Sequence, residues 1–415
     1  MNRAIPVSGC PPVLEAHRLW PGLTWVRGAN FSGRSALLRR LTGPGNQGVF
    51  IPPELEVSLS GLRLTVSDET RLHAGPAADS AITNELFQLT GLSEHLGQNP
   101  TTLSGGELAL VILGCKIALG RRVLAVDCAL EQVAPNLKCD VLNLLKARLP
   151  ETSSLVLVDN RQAEVAFDFD HIWTMPAEQS SKVTELQIRS DIEFARPFRA
   201  PTLALQDITF GYVRERTVIK AASLQLTPGQ VYLLVGVNGS GKSTMAKILT
   251  GVLRPTAGQI TVDGRETSPY RSPGNLVSYV YQDPDVQFVD ASVAEDAALG
   301  VRDEPRRPAA TRIEAALRAL GLATLKSTEI ASLPYVLRKR ASLVGVLAAL
   351  KPWLIIDEPS LGQDEASVVA ITEIFKRLAA LGYGIIVISH STLVRRLLTP
   401  TIISIKDGAV TVTPP

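Results

Sequence analysis

One short stretch, residues 236–244 with the sequence GVNGSGKST, constrains the fold of this chain most strongly. It follows an apolar run at 231–235 that is typical of a buried strand, and it precedes a helix-like segment at 245–249. In a strand–loop–helix unit of this kind, glycines let backbone N–H groups surround phosphate oxygens. We call this loop the cradle. It is expected to bind a nucleotide through Asn238, Gly239, Ser240, Gly241, Lys242, Ser243 and Thr244, with the Ser243 hydroxyl facing Mg²⁺.

The landmarks of this half of the chain occur twice. Asp357 and Asp127 each end an apolar strand-like run, and the offset between them is 357 − 127 = 230. His390 and Asn160, at the end of the next apolar run, have the same offset of 390 − 160 = 230. A constant offset indicates two tandem copies of one structural unit.

The first copy is shorter and has lost part of its cradle. Residues 28–35, with the sequence GANFSGRS, keep the glycine spacing but carry Arg34 in place of the lysine. The cradles are offset by 242 − 34 = 208, so the first copy lacks 230 − 208 = 22 residues, which we place before Pro52. In the second copy this region includes the strand-and-turn pattern of residues 258–264. We therefore expect the first copy to lack a small antiparallel hairpin.

Both copies are expected to be α/β domains. Buried strands alternate with helical runs, which predicts mostly parallel sheets in two tandem phosphate-binding NTPase domains, the first truncated and degenerate. Residues 176–201 are polar and flanked by prolines, as in a linker. We place the domains at residues 1–198 and 199–415.

Composition excludes several classes of protein. The net charge is only +2, and no long basic tract is present, so no nucleic acid partner is expected. The four cysteines, Cys10, Cys115, Cys128 and Cys139, lack metal-ligand spacing and are interpreted as reduced thiols. The N-terminus does not resemble a signal peptide, and the most apolar window, residues 343–356, is too short to span a bilayer. These features predict a soluble protein.

Taken together, these motifs resemble the ATP-binding cassette (ABC) ATPase family over essentially the whole chain. In that family, two cassettes face each other head to tail. One supplies the cradle and a catalytic carboxylate, and the other supplies an LSGGQ-type signature that contacts the γ-phosphate. The resemblance implies ATP and Mg²⁺ as cofactors. It also implies that Tyr212 stacks on the adenine and that Gln282 contacts Mg²⁺ and the attacking water. By the same resemblance, Asp357 would bind Mg²⁺ through water, Glu358 would polarise the attacking water, and His390 would contact the γ-phosphate.

The two copies depart from the family pattern in complementary ways. The second copy carries LPYVL at its signature position, where Pro334 lacks an amide N–H. The first copy retains Leu103, Ser104, Gly105, Gly106 and Glu107 as an intact signature, but it carries Arg34, Pro52, Cys128 and Asn160 in place of its catalytic groups. This distribution predicts one composite hydrolytic site, with the cradle and base from the second domain and the signature from the first. The degenerate site either holds nucleotide without turnover or stays empty, and we expect it to be empty or only weakly occupied.

A narrower resemblance is to the energy-coupling-factor (ECF) transporter ATPases. Residues 281–288 (YQDPDVQF), 292–300 and 338–348 look like that subfamily. The resemblance implies uptake of a vitamin or metal ion and integral membrane partners, a scaffold and a substrate-binding component. The chain would then be cytoplasmic and peripheral on the inner face of the cell membrane.

Two other classes of function stay open at this point. The ATPase subunit of an ABC exporter would share every catalytic motif of this chain. A soluble non-transport ABC ATPase, acting on ribosomes or DNA or as a regulatory binder, is also possible. A short mixed linker and the absence of a heptad run weigh against the ribosomal and DNA-repair classes. The intact Glu358 and His390 weigh against a non-catalytic binder.

Overall fold

The computed structural model describes residues 21–43, 48–74, 81–160, 166–175, 187–190, 192–213, 216–237, 239–302 and 308–414. The chain divides into two compact units, residues 1–178 and 179–415.

The first unit is built on one parallel sheet. Its strands are β1 (Gly22–Arg27), β2 (Gly48–Ile51), β3 (Val123–Asp127), β4 (Ser154–Val158) and β5 (His171–Thr174). They lie in the order β2-β3-β4-β1-β5, and every pairing is parallel. The helices are α1 (Arg34–Leu41), α2 (Val66–Ala74), α3 (Ala81–Leu89), α4 (Gly105–Ala118) and α5 (Pro135–Arg148).

Helices cover both faces of this sheet, which explains its continuous apolar strands. Every residue of β3 and β4 is buried. Leu37, Leu38 and Leu41 of α1 pack on one face, and the larger cluster that includes most of α4 packs on the other. A strand buried on both faces favours an unbroken apolar run over alternation.

The second unit contains a parallel sheet and a separate antiparallel one. Its strands are β6 (Leu203–Val213), β7 (Arg216–Leu226), β8 (Val231–Val235), β9 (Ala257–Val262), β10 (Arg265–Thr267), β11 (Val277–Val280), β12 (Trp353–Asp357), β13 (Gly384–Ile388), β14 (Thr401–Lys406) and β15 (Ala409–Thr413). Its helices are α6 (Lys242–Leu249), α7 (Val293–Ala298), α8 (Ala309–Ala319), α9 (Tyr335–Ala349), α10 (Glu365–Ala380) and α11 (Thr392–Leu398). The larger sheet has the order β11-β12-β13-β8-β14-β15, in which β15 alone pairs antiparallel, and the smaller has the order β10-β9-β6-β7.

The predicted fold class is confirmed, including the truncation of the first copy. Strands β9 and β10 form an antiparallel hairpin between α6 and β11. In the first unit, the chain passes from α1, which ends at Leu41, to β2, which begins at Gly48. That interval has no room for a hairpin of the size found at 257–267.

The division of the chain differs from the predicted domain boundary at residue 198. The units separate between residues 178 and 179. The described part of the expected linker packs on the second unit, where the Phe194 side chain is fully buried and Phe198 N donates to Leu381 O at 2.7 Å. The apolar side chains in this segment explain why it folds with the second unit.

Within the described residues, no helix combines the length and apolar character needed to span a bilayer.

Candidate nucleotide-binding site

The cradle lies between β8 and α6, as the sequence predicts. Gly239 and Gly241 adopt φ angles of 74° and 107°, in the region that favours glycine. A Cβ on Gly236 would lie 2.5 Å from Ile405 O, and one on Gly241 would lie 2.8 Å from Ile219 Cδ1. The tight loop therefore requires glycine at these positions and ends at the positive N-terminus of α6. Asn238 lies outside the described residues.

The Lys242 side chain folds back over this loop. Its Nζ donates to Gly236 O at 2.8 Å and to Val237 O at 3.1 Å. Burial lowers the pKa of Lys242, and the nearby carboxylates of Glu358 and Asp357 oppose that change. The ammonium thus lies close to both predicted acidic groups, and phosphate oxygens could replace the two carbonyls as its acceptors.

Two hydroxyl groups and one aromatic ring lie beside the cradle. The Ser240 hydroxyl is buried and has no hydrogen-bond partner among the residues that the structure describes. Tyr212 Oη lies 3.1 Å from Thr244 Oγ1, while 61% of the Tyr212 residue is exposed. Its ring packs edge-on against Phe210, which leaves an exposed aromatic surface next to the phosphate loop.

Two of the three predicted Mg²⁺ ligands, Ser243 and Asp357, share a hydrogen-bonding partner. Tyr279 Oη donates to Asp357 Oδ2 at 2.7 Å, and it also interacts with the Ser243 hydroxyl. Burial raises the pKa of Asp357 to about 6 against the opposing effect of the Tyr279 hydrogen bond. Tyr279 was not among the predicted site residues, and its contact with Asp357 joins residues 78 positions apart.

Glu358 is held at the end of β12 by the end of β13. It has a φ of 44° and is only 5% exposed. Its Oε2 accepts from Ser389 Oγ at 2.9 Å, and its Oε1 accepts from His390 N at 2.9 Å. The predicted base and the predicted γ-phosphate contact are therefore neighbours, as expected from adjacent parallel strands.

Lys339, on α9, is a buried cation that sequence analysis did not identify. Its Nζ donates to three backbone carbonyls, of Tyr281 at 2.8 Å, Gln282 at 2.7 Å and Asp357 at 2.9 Å. Burial lowers its pKa to about 8. This ammonium joins the segment that carries Gln282 to the end of β12. The available signal was a run of three cationic residues, 338–340, in a helix whose later turns are mostly apolar.

Further contacts hold the loop after Gln282 on the same helix. Gln287 Nε2 donates to Ser342 O at 2.6 Å. Arg338 binds the Asp285 carboxylate through Nε at 2.8 Å and Nη2 at 3.2 Å. Gln282 is thus placed on a loop that is bound to α9 at several points.

The signature residues lie in the first unit. Ser104 N and Oγ both donate to Glu107 Oε2, at 2.8 Å and 2.6 Å, which forms a capping box at the start of α4. Gly105 and Gly106 form the first turn of that helix. In the second unit, Pro334 precedes α9 without a side-chain cap. The predicted site residues therefore fall into two groups, one in each unit.

The first unit keeps the backbone of a cradle but replaces its side chains. Gly28 and Gly33 have φ angles of 155° and 88°, close to those of the second cradle. Cys128, at the position of Glu358, also has a positive φ, of 55°. Asn160 N donates to Glu131 Oε1 at 2.9 Å, the bond that His390 N makes with Glu358 in the second unit. A buried carboxylate from a different position thus replaces the structural contact of the missing base.

Comparison with known proteins identifies the family. The model of the family described as ABC transporter matches residues 219–361. A putative ABC transporter ATP-binding protein of Pyrococcus horikoshii is 30% identical over 213 residues, which cover 50% of this chain and 80% of the relative. One of Methanosarcina acetivorans is 25% identical over 351 residues, which cover 79% of this chain and 66% of the relative.

Solved structures that cover both units share the fold. An RNase-L inhibitor matches 95% of this chain and 87% of its own with a TM-score of 0.64 and 17% identity. A ribosome-bound archaeal Pelota and ABCE1 structure matches 95% of this chain and 74% of its own with a TM-score of 0.72 and 16% identity. Together with the cradle and its acidic strand ends, these findings show that the chain belongs to the ABC ATP-binding proteins, binds ATP and is an ATPase.

Proposed function

We propose that this chain is the ATP-hydrolysing subunit of an ABC transporter and that it has one composite hydrolytic site. The observation that carries the proposal is the division of parts between the units. The second unit brings together the cradle, Asp357, Glu358 and His390, and the first has the glycine-containing signature.

The residues of the second unit suit ATP and Mg²⁺. The loop excludes side chains at Gly236 and Gly241, and the buried Ser240 hydroxyl faces this loop. Ser243 and Asp357 supply oxygen ligands, which Mg²⁺ prefers, and both contact one phenol group. Bound Mg²⁺ would neutralise developing charge on the phosphates. Tyr212 would stack on the adenine, and the other cradle residues would surround the phosphates.

Three side chains of the second unit are proposed to position the attacking water and the γ-phosphate. The Glu358 carboxylate is held by Ser389 Oγ and His390 N, so it is positioned before a substrate arrives. We assign it the role of polarising the attacking water, with Gln282 orienting the same water. His390 is assigned the γ-phosphate contact. Phosphoryl transfer depends mainly on such positioning and charge stabilisation.

The signature is assigned to the same site. We infer that Ser104, Gly105, Gly106 and Glu107 contact the γ-phosphate of ATP bound in the second unit. The capping box supports this role because it holds the first turn of α4 in place for anion binding.

The transport role rests on the relatives and on three ECF-like stretches. The relatives are called putative ABC transporter ATP-binding proteins. Val286 and Val289, in the first ECF-like stretch and just after it, are 63% and 83% exposed, as expected for a surface that meets a partner. We therefore propose ECF-type uptake of a vitamin or metal ion, with the chain in the cytoplasm and bound peripherally to membrane subunits.

The test is affinity purification of the tagged protein from solubilised native membranes. A small polytopic scaffold together with a substrate-binding membrane protein is the expected result. Recovery of an exporter's membrane domain would keep the ATPase role and overturn the ECF assignment. Ribosomal proteins without a membrane partner would overturn transport. A variant carrying Val286→Glu and Val289→Glu is expected to lose the partner, whereas Val412→Glu, on exposed β15, is not.

A further inference from the structure

The cation of the first cradle makes different contacts from the cation of the second. Arg34, at the position of Lys242, is only 7% exposed. Its Nη1 donates to Asn160 Oδ1 at 2.8 Å, and its Nη2 donates to Asn30 Oδ1 at 3.1 Å. The guanidinium therefore joins the cradle loop to the residue that follows β4.

Among the described residues of the second unit, Lys242 makes no comparable bridge. Both of its hydrogen bonds, to Gly236 O and Val237 O, stay within its own loop. In the family resemblance, the γ-phosphate is the group that links the cradle to the position of His390. In the first unit, Arg34 already makes the link between the cradle and the position equivalent to His390.

The acceptor of this link is itself held in place. Asn160 N donates to Glu131 Oε1 at 2.9 Å, and Glu131 is fully buried. Asn160 Nδ2 lies 3.7 Å from Cys128 Sγ. Because its backbone N–H and its side-chain nitrogen are both in contact with neighbours, the Asn160 side chain is held with its Oδ1 towards Arg34.

The positive charge of the Arg34 guanidinium also lies near the carboxylate of Asp127, the residue equivalent to the predicted Mg²⁺ ligand Asp357. Asp127 is 3% exposed, and its carboxyl interacts with Ser35 and with the charge of Arg34. A planar guanidinium is larger than an ammonium and forms several directed hydrogen bonds at once. Arg34 thus joins the loop to Asn160 and places a positive charge near the Asp127 carboxyl.

We propose that Arg34 closes the first cradle from within, so that each chain binds one ATP, in its second unit. The first unit then keeps its shape without nucleotide. This inference rests on the proposed function, because it specifies which of the two cradles supplies the ATP for hydrolysis. The similar glycine φ angles in the two cradles indicate that a side chain, and not collapse of the loop, closes the site.

The first experiment photolabels the full-length protein with azido-ATP, cleaves it and locates the label. Label confined to residues 179–415, with one nucleotide bound per chain, is the expected result. Label in residues 1–178, or two nucleotides per chain, overturns the proposal. Absence of label from both parts contradicts ATP binding by the second unit, which is a failure of the proposed function.

A second experiment changes the two cations separately. Lys242→Ala is expected to lose the label completely, whereas a remaining label in residues 1–178 would overturn the proposal. Arg34→Lys removes the two-armed link and is expected to allow labelling of residues 1–178. If that label does not appear, Arg34 is not the closing group. Arg40→Lys is the matched control, because it makes the same change on the exposed side of α1 and should leave the labelling unchanged.

Discussion

At the scale of single residues, the second unit places its proposed catalytic groups through hydrogen bonds between strand ends. Glu358 has a positive φ of 44°, which an L-residue adopts only where its surroundings favour it. Ser389 and the backbone of His390 provide those surroundings. Tyr279 and Lys339 hold the neighbouring Asp357 from its side chain and its carbonyl. Each proposed group is therefore positioned by a residue of another element.

Glu358→Gln is expected to lower ATP hydrolysis by about 10²–10⁴-fold, the range for losing a positioned acid–base group. The amide keeps the shape of the side chain, so ATP binding should persist. Steady-state turnover and equilibrium binding measure the two effects. Glu365→Gln, a change at an exposed glutamate in the first turn of α10, is the control and should be silent. Undiminished turnover of Glu358→Gln would remove Glu358 from the mechanism.

At the scale of elements, the parallel sheet of the second unit depends on close contact between β12 and β13. Trp353 is fully buried at the start of β12, and its Nε1 donates to Pro201 O at 2.8 Å. It pairs with Gly384, the first residue of β13. The absence of a side chain at Gly384 makes room for the indole ring.

Gly384→Ala is expected to destabilise the second unit by about 1–3 kcal/mol or more, the range for overpacking a core. A Cβ there would lie 2.1 Å from Trp353 Cε3, and the ring cannot move without losing its hydrogen bond to Pro201. Urea unfolding measures the change. Gly300→Ala is the control, since no atom lies within 4 Å of its added Cβ. Equal unfolding midpoints for Gly384→Ala and wild type would contradict this packing argument.

At the scale of the whole molecule, the two units have diverged in opposite ways. The first keeps the capping box at Ser104 and has an arginine in its cradle. The second keeps the cradle and its acidic groups and has Pro334 before α9. This asymmetry is the basis of the composite-site proposal, and it predicts that one signature matters for turnover and the other does not.

Ser104→Arg is expected to abolish ATP turnover, because it places a bulky cation in the signature assigned to the active site. Pro334→Arg, the same type of change at the equivalent position of the second unit, should leave turnover within about threefold of wild type, below the range for removing a positioned catalytic group. Turnover of the two full-length variants, with circular dichroism as a check of folding, is the measurement. Equal loss in both variants would contradict the one-site proposal.

The sequence by itself determined the repeat, the strands and the acidic groups at their ends. The apolar runs at 123–127, 231–235 and 353–357 coincide with β3, β8 and β12, because strands buried on both faces have a strong local pattern. The missing hairpin also followed from the sequence, since the offset between the copies changes from 208 at the cradles to 230 further along the chain.

Only the tertiary structure revealed the contacts that position these groups. Lys339 meets Tyr281, Gln282 and Asp357, and Glu131 replaces the backbone contact of Glu358. Residues 187–190 and 192–200 pack on the second unit and do not form a free linker, because Phe194 is buried and Phe198 N donates to Leu381 O. Such contacts join residues that are distant in the chain and depend on which side chains meet when the sheets close. A local sequence pattern therefore does not predict these long-range contacts.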